Sequence, residues 1–284
     1  MREVVDGRAR LCGSQNFAVD SPVDLGTHIE YSAKLLICTQ ERMGAGHCEA
    51  YVDNATGAVH SYGDSKEMCG VAAGAIELGI IAQPTRLAKT FLIDVGAAWS
   101  GEVIVGHKMG FQVAAFEARE SEYKNIVRAT RRFPGVDVVH AAVTDKAGPV
   151  ELHMSADSSS LLDSAVHGSA ERGKTAMENN RVVTVQGIVL DEYVQMHDVR
   201  RVAFLMLDVQ GVEYNVLKGA INTLKEQKPV VMFEYDKRLG GRSADKVLCL
   251  LQSLGYECAF MGSATANAVC VPDKRARYLR GSRA

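Results

Sequence analysis

The sequence predicts an α/β fold with a mostly parallel sheet, an antiparallel last strand, helices on both faces, and an N-terminal extension. From residue 90 onward, short apolar runs of strand length alternate with segments whose apolar residues recur at helical spacing. This alternation is typical of parallel strands that are joined by helical crossovers. The apolar runs are nearly continuous, which indicates strands that are buried on both faces.

The first part of the chain, residues 1–85, is expected to form an extension or cap over the main domain. Within it, residues 49–62 alternate weakly around the polar turn Asn54–Gly57, which favours a hairpin. A helical pattern follows over residues 67–82 and is ended by Pro84.

The main domain is expected over residues 86–273, and a solvated basic tail follows over residues 274–284. Its predicted strands are Phe91–Val95, Val113–Phe116, Val136–Val143, Val202–Leu207 and Val230–Phe233. Helical stripes occur within residues 123–130, 212–224 and 247–254. Two final runs, Tyr256–Met261 and Ala266–Val271, are separated by a Gly-Ser turn and predict an antiparallel hairpin that closes the sheet.

The alternation is interrupted between Gly148 and Asn180. A strand-like run, Val150–Met154, precedes a polar stretch that begins at Ser155. Long loops inside compact domains are usually functional or disordered. We therefore expect residues 157–180 to cap the ligand cleft together with the N-terminal extension.

Composition and charge argue against several classes of function. A net charge of −2 gives no general attraction to nucleic acid or to anionic membranes. No segment reaches the roughly 20 uninterrupted apolar residues that span a bilayer, and the first residues lack the apolar core of a signal peptide. The 7 cysteines include no Cys-x-x-Cys pair, so we expect reduced thiols in a cytoplasmic protein rather than disulfides or a zinc site.

Acids end the first two predicted strands. Asp94 ends the first, and Gly96 follows it, where the lack of a Cβ lets the backbone approach a ligand closely. The glycine spacing fits neither a dinucleotide fingerprint nor a phosphate-binding loop, and an acid here would repel a pyrophosphate. Glu117, at the end of the second strand, suits the two hydroxyls of a ribose. A nucleoside with a cationic group, S-adenosylmethionine, is therefore the predicted cofactor.

A second set of acids follows the fourth and fifth strands. Asp208 would receive the proton of a substrate hydroxyl, or hold that hydroxyl in line with the methyl group. Glu213 and Glu234 would tune Asp208, although an acid in the first turn of a helix is also stabilised by the helix dipole alone. Carboxylates that share a cleft either raise a pKa for base catalysis or bind a divalent cation, and the sequence does not decide between these roles.

These segments resemble the FkbM family of S-adenosylmethionine-dependent methyltransferases, in order and at similar spacing, from about residue 67 to residue 236. The matching segments are Phe91–Ala97, Ala115–Ala118, Ala141–Asp145 with Gly148, Leu207–Glu213, Val216–Ala220, and Lys228–Pro229 leading to Phe233–Glu234. The chain departs from the family at residues 98–101, where the family commonly has an Asn-Ile-Gly run, and at Gln210, where it commonly has a glutamate.

The resemblance implies a class I methyltransferase sheet, and methyl transfer to a hydroxyl of a sugar or a small natural product. The implied cofactor contacts are Asp94, Gly96 and Ala97 on the methionine and ribose side, Glu117 at the ribose, and Ala118 and Ala142 at the adenine. Two alternatives stay open. One is a binding module that kept the fold and lost the activity, which Gln210 and Trp99 motivate. The other is a methyltransferase that acts on a macromolecule.

Overall fold

In this computed structural model, residues 90–272 form strands that are joined mainly by helices, with a run of consecutive strands among the described residues between 136 and 188. The structure describes residues 4–5, 8–9, 51–52, 59–60, 68, 72, 89–98, 101–154, 159–160, 181–235, 241–261 and 266–272. The strands among these residues are β1 (Val4–Val5), β2 (Arg8–Ala9), β3 (Tyr51–Val52), β4 (Val59–His60), β5 (Thr90–Val95), β6 (Gln112–Glu117), β7 (Val136–His140), β8 (Ala142–Val143), β9 (Gly148–Met154), β10 (Ser159–Ser160), β11 (Arg181–Ile188), β12 (Arg201–Leu207), β13 (Val230–Tyr235), β14 (Tyr256–Met261) and β15 (Ala266–Pro272). The helices are α1 (Gly101–Lys108), α2 (Glu120–Thr130), α3 (Leu190–Met196), α4 (Glu213–Lys218), α5 (Ile221–Glu226) and α6 (Gly241–Ser253).

The predicted N-terminal cap lies outside the described residues, apart from β1 to β4, Met68 and Ala72. The predicted cleft-capping segment, residues 157–180, lies outside them apart from β10, and so does the basic tail. β3 and β4 pair in antiparallel fashion, which confirms the hairpin predicted over residues 49–62. Met68 and Ala72 are helical and fully buried, in agreement with the helix predicted there.

The main sheet has seven strands in the order β14-β15-β13-β12-β5-β6-β7. Its strands are parallel except β15, which is antiparallel to β13 and β14. This confirms the mostly parallel sheet with a reversed last strand. The chain leaves β5 toward β6 and β7 on one side and returns to β12 and β13 on the other. Such a switch of direction opens a crevice beyond the carboxyl ends of β5 and β12.

Two cores lie on the two faces of this sheet. Ile93 and Leu205 belong to one core, with apolar residues of α3, α4, α5 and α6. Leu92 and Phe204 belong to the other, with apolar residues of α1 and α2. Because successive side chains of a strand point to opposite faces, one continuous apolar run contributes to both cores. None of the helices in the described ranges is long and apolar enough to cross a membrane.

A second sheet has four strands in the order β10-β9-β11-β8. The run Val136–Val143, predicted as one strand, is divided between the two sheets: β7 ends at His140, and β8 pairs in parallel with β11. At the division, the N–H of Ala141 is shared between the carbonyl of Val139 at 3.1 Å and the carbonyl of Glu117 at 3.2 Å, and the chain then pairs with the distant strand β11. The strand β11 is an addition to the predicted elements.

The apolar stripe over residues 212–224, predicted as one helix, forms two short helices, α4 and α5. Asp191 accounts for the break. Its carboxylate accepts hydrogen bonds from the backbone N–H groups of Asn222 and Thr223, both at 2.8 Å, in the first turn of α5. The N–H of Asp191 donates to the carbonyl of Gly219 at 2.8 Å. A distant acid therefore caps α5, in place of a residue next to it in sequence.

The turn after β8 is fastened to the end of α4. A Cβ at position 219 would lie 2.4 Å from the carbonyl oxygen of Thr144, so the close approach requires Gly219. Lys218 forms an ion pair with Asp145, and Asn215 donates to the same carboxylate at 3.4 Å. These contacts join two segments that the family resemblance identified separately.

Cys258 and Cys270 form a disulfide, and Cys249 is also disulfide-bonded, so the expectation of reduced thiols is wrong for these three residues. Cys258 and Cys270 lie directly opposite each other in β14 and β15, with their Cα atoms 4.0 Å apart. Cysteines 12 residues apart can pair across a hairpin only if the register places them opposite each other. The sequence does not give that register, so it did not predict the pair. Since disulfides are rare in the cytoplasm, the cysteine pattern no longer supports a cytoplasmic location.

We expect Cys258→Ser to lower the free energy of unfolding by about 2–3 kcal/mol, because the disulfide closes a short loop in the unfolded chain. Thermal unfolding with and without dithiothreitol measures the effect. The reductant should destabilise the wild-type protein more than the variant. Peptide mapping that finds Cys258 and Cys270 alkylated in non-reduced protein would contradict the assignment.

Candidate active site

Asp94 is the next-to-last residue of β5 and is buried, with 1% of its surface exposed. Its Oδ2 atom has no hydrogen-bond partner among the described residues. Burial raises the pKa of Asp94 well above its usual range, and the carboxylates of Glu102, Asp208 and Glu117 add to the rise. A buried acceptor without a donor is costly. The position therefore suits a ligand that brings a donor or a positive charge.

Gly96 brings the loops after β5 and β12 into contact. Its φ is +87°, and a Cβ at this position would lie 2.0 Å from the carbonyl oxygen of Asp208. The N–H of Asp208 donates to the carbonyl of Val95 at 2.9 Å. The N–H groups of Gly96 and Ala97 donate to the carbonyl of Phe116 at 2.9 and 3.2 Å. The ends of three neighbouring strands are thus held together at the rim of the crevice.

Glu117 ends β6, the strand next to β5, and is 5% exposed. Its Oε1 atom accepts a hydrogen bond from the backbone N–H of Arg119 at 2.7 Å. Burial raises the pKa of Glu117 to about 7, although this hydrogen bond acts in the opposite direction. The carboxylate predicted for the ribose therefore lies in a largely dry environment, at the same rim as Asp94.

The residues predicted for the adenine lie beside β6 and β7. The carbonyl of Ala118 accepts a hydrogen bond from Nε2 of His140 at 3.1 Å. The His140 ring stacks on Tyr123, with ring centroids 4.8 Å apart. Ala142 is buried in β8, where it pairs with Gly187. The stacked His140 and Tyr123 are an addition to the predicted site, and no motif in the sequence marks them.

Asp208, Gln210 and Glu234 form a hydrogen-bonded cluster at the ends of β12 and β13. The Nε2 atom of Gln210 donates to Oδ1 of Asp208 at 2.9 Å and to Oε2 of Glu234 at 3.1 Å. All three residues are partly buried. The structure therefore brings two predicted catalytic acids together. The residue that joins them was noted from the sequence only as a departure from the family pattern.

Glu213, the third predicted catalytic acid, is buried at the start of α4 with 4% of its surface exposed. Its Oε1 atom accepts a hydrogen bond from the backbone N–H of Gly211 at 2.9 Å. Burial raises the pKa of Glu213 even though this bond stabilises the ionised form. The contact favours a role in holding the loop over a direct role in chemistry.

Glu102 is an acid of the site that the sequence analysis missed. It lies in the first turn of α1, is 8% exposed, and raises the pKa of Asp94. Its only sequence signal is its place directly after Gly101.

The sequence left open a divalent cation among the acids of the cleft. No group of three or more His, Cys, Asp or Glu side chains within the described ranges could hold a metal ion.

The family model described as the methyltransferase FkbM domain matches residues 94–258, more than half of the chain. The chain belongs to the FkbM methyltransferase family. The matched region begins at Asp94 and includes Glu117, Asp208 and Glu234, so the acids described above all lie in the matched domain. No curated protein matches the chain in sequence.

Among solved structures, the chain is similar to a methyltransferase FkbM from Methylobacillus flagellatus KT, at 12% identity and a TM-score of 0.45. That alignment covers 88% of this chain and 60% of the other, so this chain spans less than two thirds of that protein. An O-methyltransferase from Bacillus cereus in complex with SAH matches at 10% identity and a TM-score of 0.41, over 85% of this chain and 89% of that one. An rRNA methylase from Streptococcus thermophilus matches at 9% identity and a TM-score of 0.38, over 69% of this chain and 93% of that one.

We expect Gly96→Ala to destabilise the protein by at least about 3 kcal/mol, because the new Cβ meets the Asp208 carbonyl and the backbone at residue 96 is in the left-handed region. Gly255→Ala is the matched control, since Gly255 has a φ of +75° but its Cβ would meet nothing within 4 Å. The control should lose only about 1–2 kcal/mol. Urea unfolding measures both, and equal losses would show that close approach is not the reason for Gly96.

We expect Glu117→Gln to change how stability depends on pH. Folding raises the pKa of Glu117 from 4.5 to about 7, so the folded state keeps a proton that the unfolded chain has released. The free energy of unfolding therefore falls as pH rises through this window. The variant lacks this fall and should be more stable than wild type at about pH 8. Urea unfolding measures this, and the exposed Glu120→Gln should keep the wild-type slope.

Proposed function

We propose that this FkbM methyltransferase transfers the methyl group of S-adenosylmethionine to a hydroxyl group of a sugar or another small molecule. One observation carries the proposal. Asp94 is buried where the strand order reverses, and one of its oxygens has no partner in the described part of the chain. A buried acid at this point calls for a cationic partner, and the amino group of the cofactor's methionine moiety is one.

The residues around the crevice fit this cofactor. A positive charge beside Asp94 would offset the cost of burial and lower the pKa of that carboxyl group. The ionised Glu117 would accept hydrogen bonds from the ribose hydroxyls. Gly96 and Ala97 have little or no side chain, so a ligand at the rim can approach their backbone closely. The short side chains of Ala118 and Ala142 would border the adenine.

Bound S-adenosylmethionine supplies a methyl group on a positively charged sulfur. Asp208 stands at the end of β12, next to the end of β5, where it would orient the acceptor hydroxyl and receive its proton as the new O–C bond forms. The hydrogen bond from Gln210 at 2.9 Å holds the Asp208 carboxylate in place. The protein's own contribution is thus alignment of the two reactants, acceptance of one proton and exclusion of water.

The charges at this edge favour a neutral or cationic acceptor over a nucleic acid. Asp208, Glu213 and Glu234 are acids, and the chain as a whole carries a net charge of −2. Proteins that bind nucleic acid usually neutralise phosphates with Lys and Arg. A hydroxyl-rich small molecule can donate hydrogen bonds to these carboxylates, which makes it the proposed acceptor class.

The test separates cofactor binding from transfer. Mass spectrometry should find S-adenosylhomocysteine with the purified protein, and Asp94→Ala should weaken its binding at least about 100-fold in calorimetry. Asp208→Asn should leave that affinity within about threefold but slow the transfer of a tritiated methyl group to a pooled library of sugars, polyols and phenols at least about 100-fold.

Asp198→Asn is the matched control, because Asp198 is exposed and lies before β12, at the opposite end of the strand from Asp208. It should change neither binding nor transfer. An unchanged rate in Asp208→Asn would remove that residue from the chemistry. Binding without any transfer would favour a nonenzymatic binding module. Label found only in protein or RNA fractions of a cell lysate would indicate a macromolecular acceptor.

A further inference from the structure

We propose that Gln210 is a positioning residue of the acceptor site, whose side-chain amide holds Asp208 and Glu234 together as two ionised carboxylates. The inference rests on the proposed function, because Asp208 is the group that would receive the hydroxyl proton.

The side-chain amide of Gln210 donates hydrogen bonds to two carboxylates. It donates to Oδ1 of Asp208 at 2.9 Å and to Oε2 of Glu234 at 3.1 Å. A primary amide has two N–H donors, which is the number needed to bridge two carboxylates. The two acids belong to different strands, β12 and β13, so the bridge fixes their separation across the sheet edge.

The backbone shows that this placement is specific. Gln210 has a φ of +52° and the following Gly211 a φ of +102°. A glutamine in the left-handed region is disfavoured, and such residues persist where the surrounding structure requires them, often at functional sites. The neighbouring Asp208 carbonyl lies against Gly96, so the bridge is anchored to the loop that follows Asp94.

The side-chain amide of Gln210 is uncharged, which matters because the residues around it are acidic. Among the described residues, Asp94 on β5 and Glu213 on α4 also act on Asp208 through their charges. An ionised glutamate at position 210 would have no proton to donate to either acid, and after taking up a proton it would donate only one hydrogen bond. Gln210 donates both hydrogen bonds without first having to take up a proton, and donors to a carboxylate favour its ionised form, the form of Asp208 that can receive a proton.

The test uses Gln210→Glu in the full chain. At about pH 5 the new carboxyl group is partly protonated and can donate, whereas at about pH 8 three carboxylates repel one another. The melting temperature should fall below that of wild type by about 4 °C or more at the higher pH and by less than about 2 °C at the lower pH. The acidic limb of the pH–rate profile for methyl transfer to the pooled hydroxyl library should move to higher pH by about one pH unit.

The double variant Gln210→Glu/Glu234→Gln is the matched control, because it exchanges the amide and the carboxylate and keeps the total charge. It should recover most of the lost melting temperature at about pH 8 and transfer at least about tenfold faster than the single variant. If the single variant does not fold, Gln210→Met removes both donors without adding charge, and its pH–rate profile should shift in the same direction.

A pH-independent loss in Gln210→Glu, an exchange variant no better than the single one, or an unshifted pH–rate profile would overturn the proposal. These outcomes are distinct from failure of the proposed function. If wild-type protein neither binds S-adenosylhomocysteine nor transfers a methyl group, the function fails. The pH dependence of melting in the single and exchanged variants still shows whether Gln210 bridges the acids.

Discussion

The contact between the loops after β5 and β12 is the constraint on which the rest of the site depends. Gly96 lies against the backbone of Asp208, at a distance that leaves no room for a side chain. This approach places two strand ends side by side where the order of the sheet reverses. Asp94 is buried behind the contact, Glu117 lies on one side of it and Glu234 on the other. The acids therefore share one rim although more than 100 residues of sequence separate the first from the last.

The parts of this architecture that follow local patterns could be predicted from the sequence. The five core strands and the last hairpin were predicted because their apolar runs are continuous and their ends are marked by acids or turns. The division of Val136–Val143, the break between α4 and α5, and the Cys258–Cys270 disulfide could not be. Each depends on a partner distant in sequence or on strand register: β11 pairs with β8, Asp191 caps α5, and the hairpin aligns the cysteines.

The same limit applies to the site. Asp94, Gly96 and Glu117 could be predicted to share one rim because each lies at or just beyond the carboxyl end of a neighbouring strand. The bridge that Gln210 forms could not be predicted, because its side chain reaches Glu234 on another strand. Conversely, some residues of the family pattern serve the framework. Lys218 and Gly219 fasten α4 to the turn after β8, which explains their presence without any contact with a ligand.

The parallel register of β5 and β12 has a consequence for how this protein can diverge. Met206 pairs with Asp94, and Leu207 pairs with Val95. Because side chains alternate between the faces of a sheet, inserting or deleting one residue inside β5 would turn Asp94 to the opposite face. Insertions between the strands carry no such penalty. Relatives that acquire new substrates are therefore expected to differ in the lengths of their connecting segments, while the lengths of their central strands stay fixed.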